Sequence, residues 1–487
     1  MFEVVTLAIT IGALLSRTFS VSIHIVLIIA GAVVICAFVY FKTLRGMVFG
    51  IAVGGALVLG AFVMESSEHV VPGELYGARA FDASVVSVDR RLTYSNVVVM
   101  DTIHEQKVQV STSRLDLLPG DMITVRGNVQ APEDFLTDTG RLFPYREYLE
   151  SKGIVARVSF AQVVIVEKGA WSLTRFATVV RFGIADTFAK YVSFPTDGIV
   201  SGMLVGYQGG IPDETEELFR TTGVLHVLVL SGYNIMLLAG FLALLLRSVP
   251  FKIRTVLTVL VIILLVMVSG SGVASIRAGI MGSIALFAGV VRRTYQPLRG
   301  LLIAYLIFFF ISPHTIFIDP GFHLSFLATL FMILVLPSAQ NLFTFIPVTR
   351  GVNIRELIVL AISAPLFMLP YMLYFSGLVP MATVPANIAL AVLIPVIMAL
   401  GIGLLALAWI PFVATFLGIF LSLLGSITLW LLHLFNRLPI ANLPAISWWV
   451  VIAIYGVGIG ILFRKDITSY SLQLRSSFRR RTSAAAP

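Results

Sequence analysis

Charge is scarce in this chain of 487 residues: Asp, Glu, Lys and Arg make up 12% of it, against about a quarter in a typical soluble domain. With 58% hydrophobic residues and a mean hydropathy of +0.97, an ordinary soluble domain is excluded. Cysteine is nearly absent. The single Cys36 lies in an apolar run, which excludes an internal disulfide and a cysteine metal site and leaves plain packing. The seven histidines form no His-x-His-x-Asp-His cluster, and the chain has neither a G-x-x-x-x-G-K-[ST] phosphate loop nor a G-x-S-x-G elbow. These gaps exclude the common signatures of a metallonuclease, a nucleotide-driven motor and a serine hydrolase. No cofactor, metal site or enzymatic activity is expected.

What the chain does have is apolar runs, about twelve of them, of the length that a hydrocarbon layer about 30 Å thick demands of a helix, several on the short side. The expected architecture is a polytopic α-helical membrane protein of about 12 spans. Residues 1–64 form an N-terminal membrane segment of about three helices and 196–463 a membrane domain of about nine. Residues 464–487 are a basic tail. The first run lacks a basic n-region and a small-residue cleavage site, with Glu3 in place of Lys or Arg, so it is expected to be retained.

Residues 65–168 are polar and β-rich. FDASVVSV, NVVVMDTI, KVQVSTS and DMITVRGNVQ carry β-branched residues in near alternation, and LPGD at 118–121 signals a turn. Several short strands in so small a block suggest an inserted OB-like β-barrel. In WSLTRFATVVRFGIADTFAKYVSF, within residues 169–195, apolar positions recur at helical spacing among Arg175, Arg181 and Lys190, predicting an amphipathic connecting helix.

Basic residues concentrate in cytoplasmic loops. An inside N-terminus places Lys42 and Arg45, Arg247 to Arg254, Arg292 to Arg299, Arg350 and Arg355, and the C-terminal tail on the cytoplasmic side. The β domain then lies outside the cytoplasmic membrane, with ISPHTIFIDPG and NRLPIANLPAIS on its side. That domain carries 11 Lys and Arg against 15 Asp and Glu, a net −4, so the overall +9 reflects topology rather than a nucleic-acid footprint.

Polar side chains at bilayer depth are costly and face a cavity, the bundle interior or one another. TTGVLHVLVLSGYNIMLLAG, residues 221–240, holds His226, Ser231, Gly232, Tyr233 and Asn234. On a regular helix of roughly 100° per residue the four polar groups share one arc, and the central Gly232 permits a break. A helix–helix hydrogen-bond cluster is the plain alternative. SGSGVASIRAGIMG places Arg277 among small residues, where it can pair with a carboxylate, offer its donor fork to a phosphate, or snorkel to the interface. IDPGFHLSFLAT opens with Asp319 before Pro320, a helix-start signal, and carries His323 and Ser325 into the apolar run. Asn387 stands among Pro380, Pro385 and Pro395, as in a discontinuous helix.

These motifs resemble the ComEC family of competence proteins. VLHVLVLSGYNIMLLAG is similar to that family's His-Leu-Leu-Ala-Ile-Ser-Gly-Leu-His-Val-Gly-Leu signature through His226, Ser231 and Gly232. IRAGIMG resembles its Leu-Arg-Ala segment through Arg277, and DPGFHLSFLAT its Asp-Pro-Gly-Phe-Gln-Leu-Ser-Phe-Leu-Ala run. FLTDTGRLFPYREYLESKGIVARV is similar to the passage closing the family's OB-like domain. Asn234 stands where the family has a second histidine and His323 where it has glutamine, which keeps polarity while weakening a proton-relay role. The metallo-β-lactamase-like domain of many members is not expected in this chain.

The resemblance implies a channel passing single-stranded DNA inward across the cytoplasmic membrane during DNA uptake, among membrane lipid and possessing the translocation-path residues named above. It also implies a separate DNA receptor, cytoplasmic motor ATPase and nuclease as partners, and it is compatible with a homo-oligomer. In the β domain, Arg79, Arg90, Arg91, Tyr94, Lys107 and Arg126 are the candidates for holding a strand by charge and stacking. A small-solute or lipid transporter shares nearly every feature. An intramembrane hydrolase built on Ser231 with His226 or His323 is the third reading.

Overall fold

The computed structural model describes residues 2–19, 26, 29–30, 33, 44–65, 76–137, 139–229, 232–337, 354–444 and 446–462. Cys36, Ser231, Arg350, most of the apolar run at 20–41 and the basic tail lie outside the described residues.

The β domain grows from five strands: β1 (Gly77–Arg90), β2 (Tyr94–Asp101), β3 (Lys107–Ser113), β4 (Met122–Gln130) and, after the two-residue strands β5 (Phe135–Leu136) and β6 (Leu142–Phe143), β7 (Ile154–Glu167). Alternation in β2 and β3 turns Val97, Val99, Val108 and Val110 inward, where they are fully buried with Ile123 and Val125 of β4. β1 is long enough to pair β4 through its first half and β2 through its second, with a register shift between Val85 and Ser87. β7 pairs β3 in parallel and β4 antiparallel, so the strands close in the order β1-β2-β3-β7-β4. Gly127 allows the β4–β7 approach, since a Cβ there would lie 2.4 Å from Val158 Cγ1.

Asp121 joins this domain to the helix that follows. One carboxylate oxygen accepts the Leu118 N–H (2.9 Å); the other accepts the Gly169 N–H (2.9 Å) and Arg175 Nη1 (2.6 Å). The connecting helix Leu173–Tyr191 starts at Ser172, whose hydroxyl caps the Arg175 N–H, and buries Phe182 and Phe188.

Among the described residues, five helices are long and apolar enough to cross a membrane: Phe251–Val268, Val273–Val290, Ile358–Phe375, Thr383–Leu407 and Pro411–Phe435. Shorter apolar helices include Ile51–Glu65, Thr196–Val205, Asn234–Leu245, Pro297–Ile311, Pro320–Leu334 and Trp448–Gly458. The Thr196–Val205 helix opens the block expected to form the membrane domain. It is buried along its whole length and ends at Gly206, which takes the left-handed conformation (φ 68°).

The β domain sits on loops between these helices. Ser312 Oγ donates to the Ser151 carbonyl (2.8 Å), Thr139 Oγ1 to the Ser376 carbonyl (2.7 Å), and Arg141 Nη2 to the Ile446 carbonyl (2.9 Å). Arg17, at the end of the Phe2–Phe19 helix, pairs with Glu147 (2.8 Å), while Glu3 at the other end faces Arg299 (3.7 Å).

Burial pushes the Asp121 carboxyl up, but Arg175 and the Gly169 and Leu118 N–H groups outweigh it and hold the group below the usual carboxylate range. A depressed carboxyl contributes stability above its unfolded value and loses it as pH falls through the folded one. Hydrogen exchange on the full chain, corrected for intrinsic rates, should therefore show protection of residues 77–167 declining below about pH 4. Asp121→Ala should lower that protection at neutral pH by roughly 3 kcal/mol. Equal protection in the variant would remove the hub role.

Candidate functional site

The run at 221–240 is not one helix. The acidic helix Asp213–Thr221 stops at Gly223 (φ 74°), where the Val224 N–H reaches back to the Phe219 carbonyl (2.9 Å). A single 3-10 turn, Leu225–Val227, follows, and an α-helix begins afresh at Gly232 and runs to Leu245. The run is broken, as its central glycine permits, and the arc of a regular helix does not form: His226 belongs to a different element from Tyr233 and Asn234, because Gly223 ends one helix and the next starts nine residues later. His226 is exposed on the 3-10 turn.

Asn234 faces the bundle at 3% exposure, and its Nδ2 donates to the Met203 carbonyl (3.0 Å). Met203 lies in the last turn of the Thr196–Val205 helix, where carbonyls lack intrahelical partners. The amide thus closes the end of one broken helix from the start of another. Asp319 does the same work for the Pro320–Leu334 helix: it is 7% exposed and its Oδ1 accepts the Gly321 N–H (2.7 Å).

His323 Nε2 lies 2.7 Å from the Ile316 carbonyl and Nδ1 2.8 Å from the Tyr371 hydroxyl. A carbonyl can only accept, so Nε2 carries the hydrogen; in the neutral ring Nδ1 then accepts from Tyr371. A glutamine amide likewise supplies a donor and an acceptor. Ser325 Oγ is buried with no partner among the described residues. Asn387 Nδ2 turns back to the Thr383 carbonyl of its own helix (2.8 Å).

Arg277 lies on the Val273–Val290 helix, which packs against the Gly232–Leu245, Phe251–Val268, Pro297–Ile311 and Pro320–Leu334 helices. The segments carrying Asn234, Arg277 and His323 are therefore neighbours. Arg277 is 9% exposed, too enclosed to snorkel, and makes no ion pair with a carboxylate among the described residues. Its Nη2 points at Gly232: a Cβ there would stand 3.1 Å away.

The β-domain candidates are dispersed. Arg79 pairs with the buried Asp101 and lies over the Phe81 ring (4.7 Å). Arg90 covers the Phe182 ring (4.0 Å) and pairs with Asp116 (3.0 Å); Arg91 bridges Asp89 (3.2 Å) and Glu216 (2.9 Å). Arg90 and Arg91 thereby dock the domain onto the helices. Tyr94 is 39% exposed, Arg126 is exposed and Lys107 half-buried. Tyr94 and Lys107 stand at opposite ends of the β2–β3 ladder, with Arg126 across the domain on β4, so they form no single groove.

Sequence reasoning missed Tyr371 and Met203. The signal for Tyr371 was Pro365 and Pro370 inside its own helix, which interrupt regular pairing there. The Met203 carbonyl is a backbone group and leaves no mark in the residue type.

Broken and short apolar helices, their ends closed by buried polar side chains, define an α-helical membrane protein. The family profile described as "Competence protein" matches residues 203–466, over half of the chain, and the chain belongs to that family. ComE operon protein 3 of Bacillus subtilis (strain 168) is 26% identical over 192 residues, covering 39% of this chain and 24% of that protein. The match thus spans about a quarter of the relative's length. No solved structure matches.

His323→Gln should leave the unfolding midpoint and the folded yield nearly unchanged, while His323→Leu, which strands the Ile316 carbonyl and the Tyr371 hydroxyl, should cost about 1–3 kcal/mol. Asp319→Ala should cost about 1 kcal/mol and Asp319→Ser much less. Thermal unfolding in detergent ranks the four variants, and a glutamine as damaging as leucine would refute the tautomer assignment.

Proposed function

We propose that this chain forms the membrane conduit through which single-stranded DNA enters the cell during competence. The observation that carries the reading is the meeting of the family's motif segments around the Val273–Val290 helix, with Arg277 facing Gly232 at the opening of the next helix. Membership of the Competence protein family supports the link to DNA uptake.

The same reading extends to architecture and sidedness. A helix of 18 residues is roughly 27 Å long, close to the thickness of the hydrocarbon layer. The Phe2–Phe19 helix has Glu3 against Arg299 of a basic loop at one end and Arg17 against Glu147 of the β domain at the other. This supports a cytoplasmic N-terminus and a β domain outside the cytoplasmic membrane, with about twelve spans in all. We read that domain as OB-like, on the strength of its strand order and the parallel β3–β7 pair.

Its dispersed cations suit docking over the bundle better than gripping a strand, so DNA is delivered by a separate receptor. The conduit passes the strand without cutting it, since the two ring nitrogens of His323 are committed to Tyr371 and Ile316 and leave no free base there. A cytoplasmic ATPase supplies the pull and a separate nuclease removes the other strand. A small-solute carrier remains the competing class.

In the host, deletion of the gene should abolish internalisation of labelled DNA while surface-bound DNA persists. Complementation with Arg277→Ala should restore the protein to the membrane but not uptake. A Tyr94→Ala/Lys107→Ala/Arg126→Ala triple variant should restore most of it. Undiminished uptake in the deletion strain would refute the conduit.

A further inference from the structure

Most polar side chains of the membrane motifs already answer to a backbone group or to each other. Asn234 serves the Met203 carbonyl, Asp319 the Gly321 N–H, His323 the Ile316 carbonyl and Tyr371, and Asn387 the Thr383 carbonyl. Ser325 Oγ and Arg277 are the exceptions, and of the two only Arg277 carries a charge. Nine-tenths of it is buried, its Nε is sealed from solvent without an acceptor, and no described residue gives the guanidinium a hydrogen bond or an opposite charge.

The end of that side chain is aimed at a second positive feature. Gly232 opens a helix of 14 residues, and the N–H groups of a first turn have no acceptors within their own helix and carry the positive end of its dipole. Nη2 lies 3.1 Å from where a Cβ of Gly232 would be, and the Ala278 Cβ lies 3.3 Å from the same point. A buried cation beside a helix N-terminus is electrostatically unfavourable when nothing lies between them. Planar guanidinium donors beside the positive end of a helix match the chemistry of an oxyanion.

We propose that Arg277 and the first turn of the Gly232–Leu245 helix form a binding site for a single phosphate-ester anion. The site lies about one helical turn into the Val273–Val290 helix, and the turn before that helix is on the side of the β domain: Gly270 meets Arg181, whose neighbour Phe182 stacks on Arg90. It is therefore the first station beneath that domain. That the phosphate belongs to a DNA strand rests on the conduit reading; the phosphodiester of a lipid headgroup offers the same chemistry.

The test uses the full chain in a phosphate-free maltoside detergent, with the unfolding midpoint followed against inorganic phosphate at constant ionic strength in chloride. The midpoint should rise saturably for the wild type. The rise should vanish in Arg277→Gln and need about tenfold more phosphate in Arg277→Lys, which keeps the charge but loses the fork. Gly232→Ala, whose methyl group crowds Nη2, should weaken the response without changing the guanidinium, and it reports on the site even if Arg277→Gln fails to fold. No rise in the wild type, or an equal rise in a folded Arg277→Gln, overturns the site. Competition then identifies the source. Displacement of phosphate by a thymidine dinucleotide supports the strand, whereas displacement by phosphatidylglycerol alone keeps the anion site and overturns its assignment to DNA.

Discussion

Every helix that stops inside a hydrocarbon layer exposes backbone groups that water cannot reach, and this bundle is organised around closing those ends. The Thr196–Val205 helix ends where Asn234 supplies a donor, and the Pro320–Leu334 helix begins where Asp319 supplies an acceptor. The turn at Ile316 is held by His323, itself held by Tyr371. Because each cap comes from a different segment, the broken helices fix one another's positions. Removing one cap would loosen at least two elements.

This constraint also accounts for the kinds of polar residue found at the helix ends. Each is of the type that its backbone partner requires: an amide for a carbonyl, a carboxylate for an N–H, a neutral imidazole between a carbonyl and a hydroxyl. Asn234 needs no titratable group to donate to Met203. Among the motif residues, Arg277 carries a charge that meets no opposite charge among the described residues.

The β domain obeys a different rule. Its interior is built from alternating valines, while its arginines serve the joints: Arg91 to Glu216, Arg90 over Phe182, Arg141 to the Ile446 carbonyl. Asp121 ties the turn before β4 to the start of the connecting helix through two backbone N–H groups and Arg175. A net-acidic domain held at several loops is suited to covering the bundle.

Composition and apolar run length were enough to determine a membrane protein, because the need to match a hydrocarbon layer is written directly into residue type. Near alternation located the strands, and Asp319 before Pro320 announced a helix start, because both signals are local. Whether His226 and Asn234 share a face was not local: it turned on Gly223 ending one helix and Gly232 opening another. The partners of His323 and Asn234, and the isolation of Arg277 beside Gly232, were decided only by the packing of segments distant in the chain. A hydrogen bond to a backbone carbonyl leaves no trace in the partner's identity, and an unmet charge is visible only once everything around it has been placed.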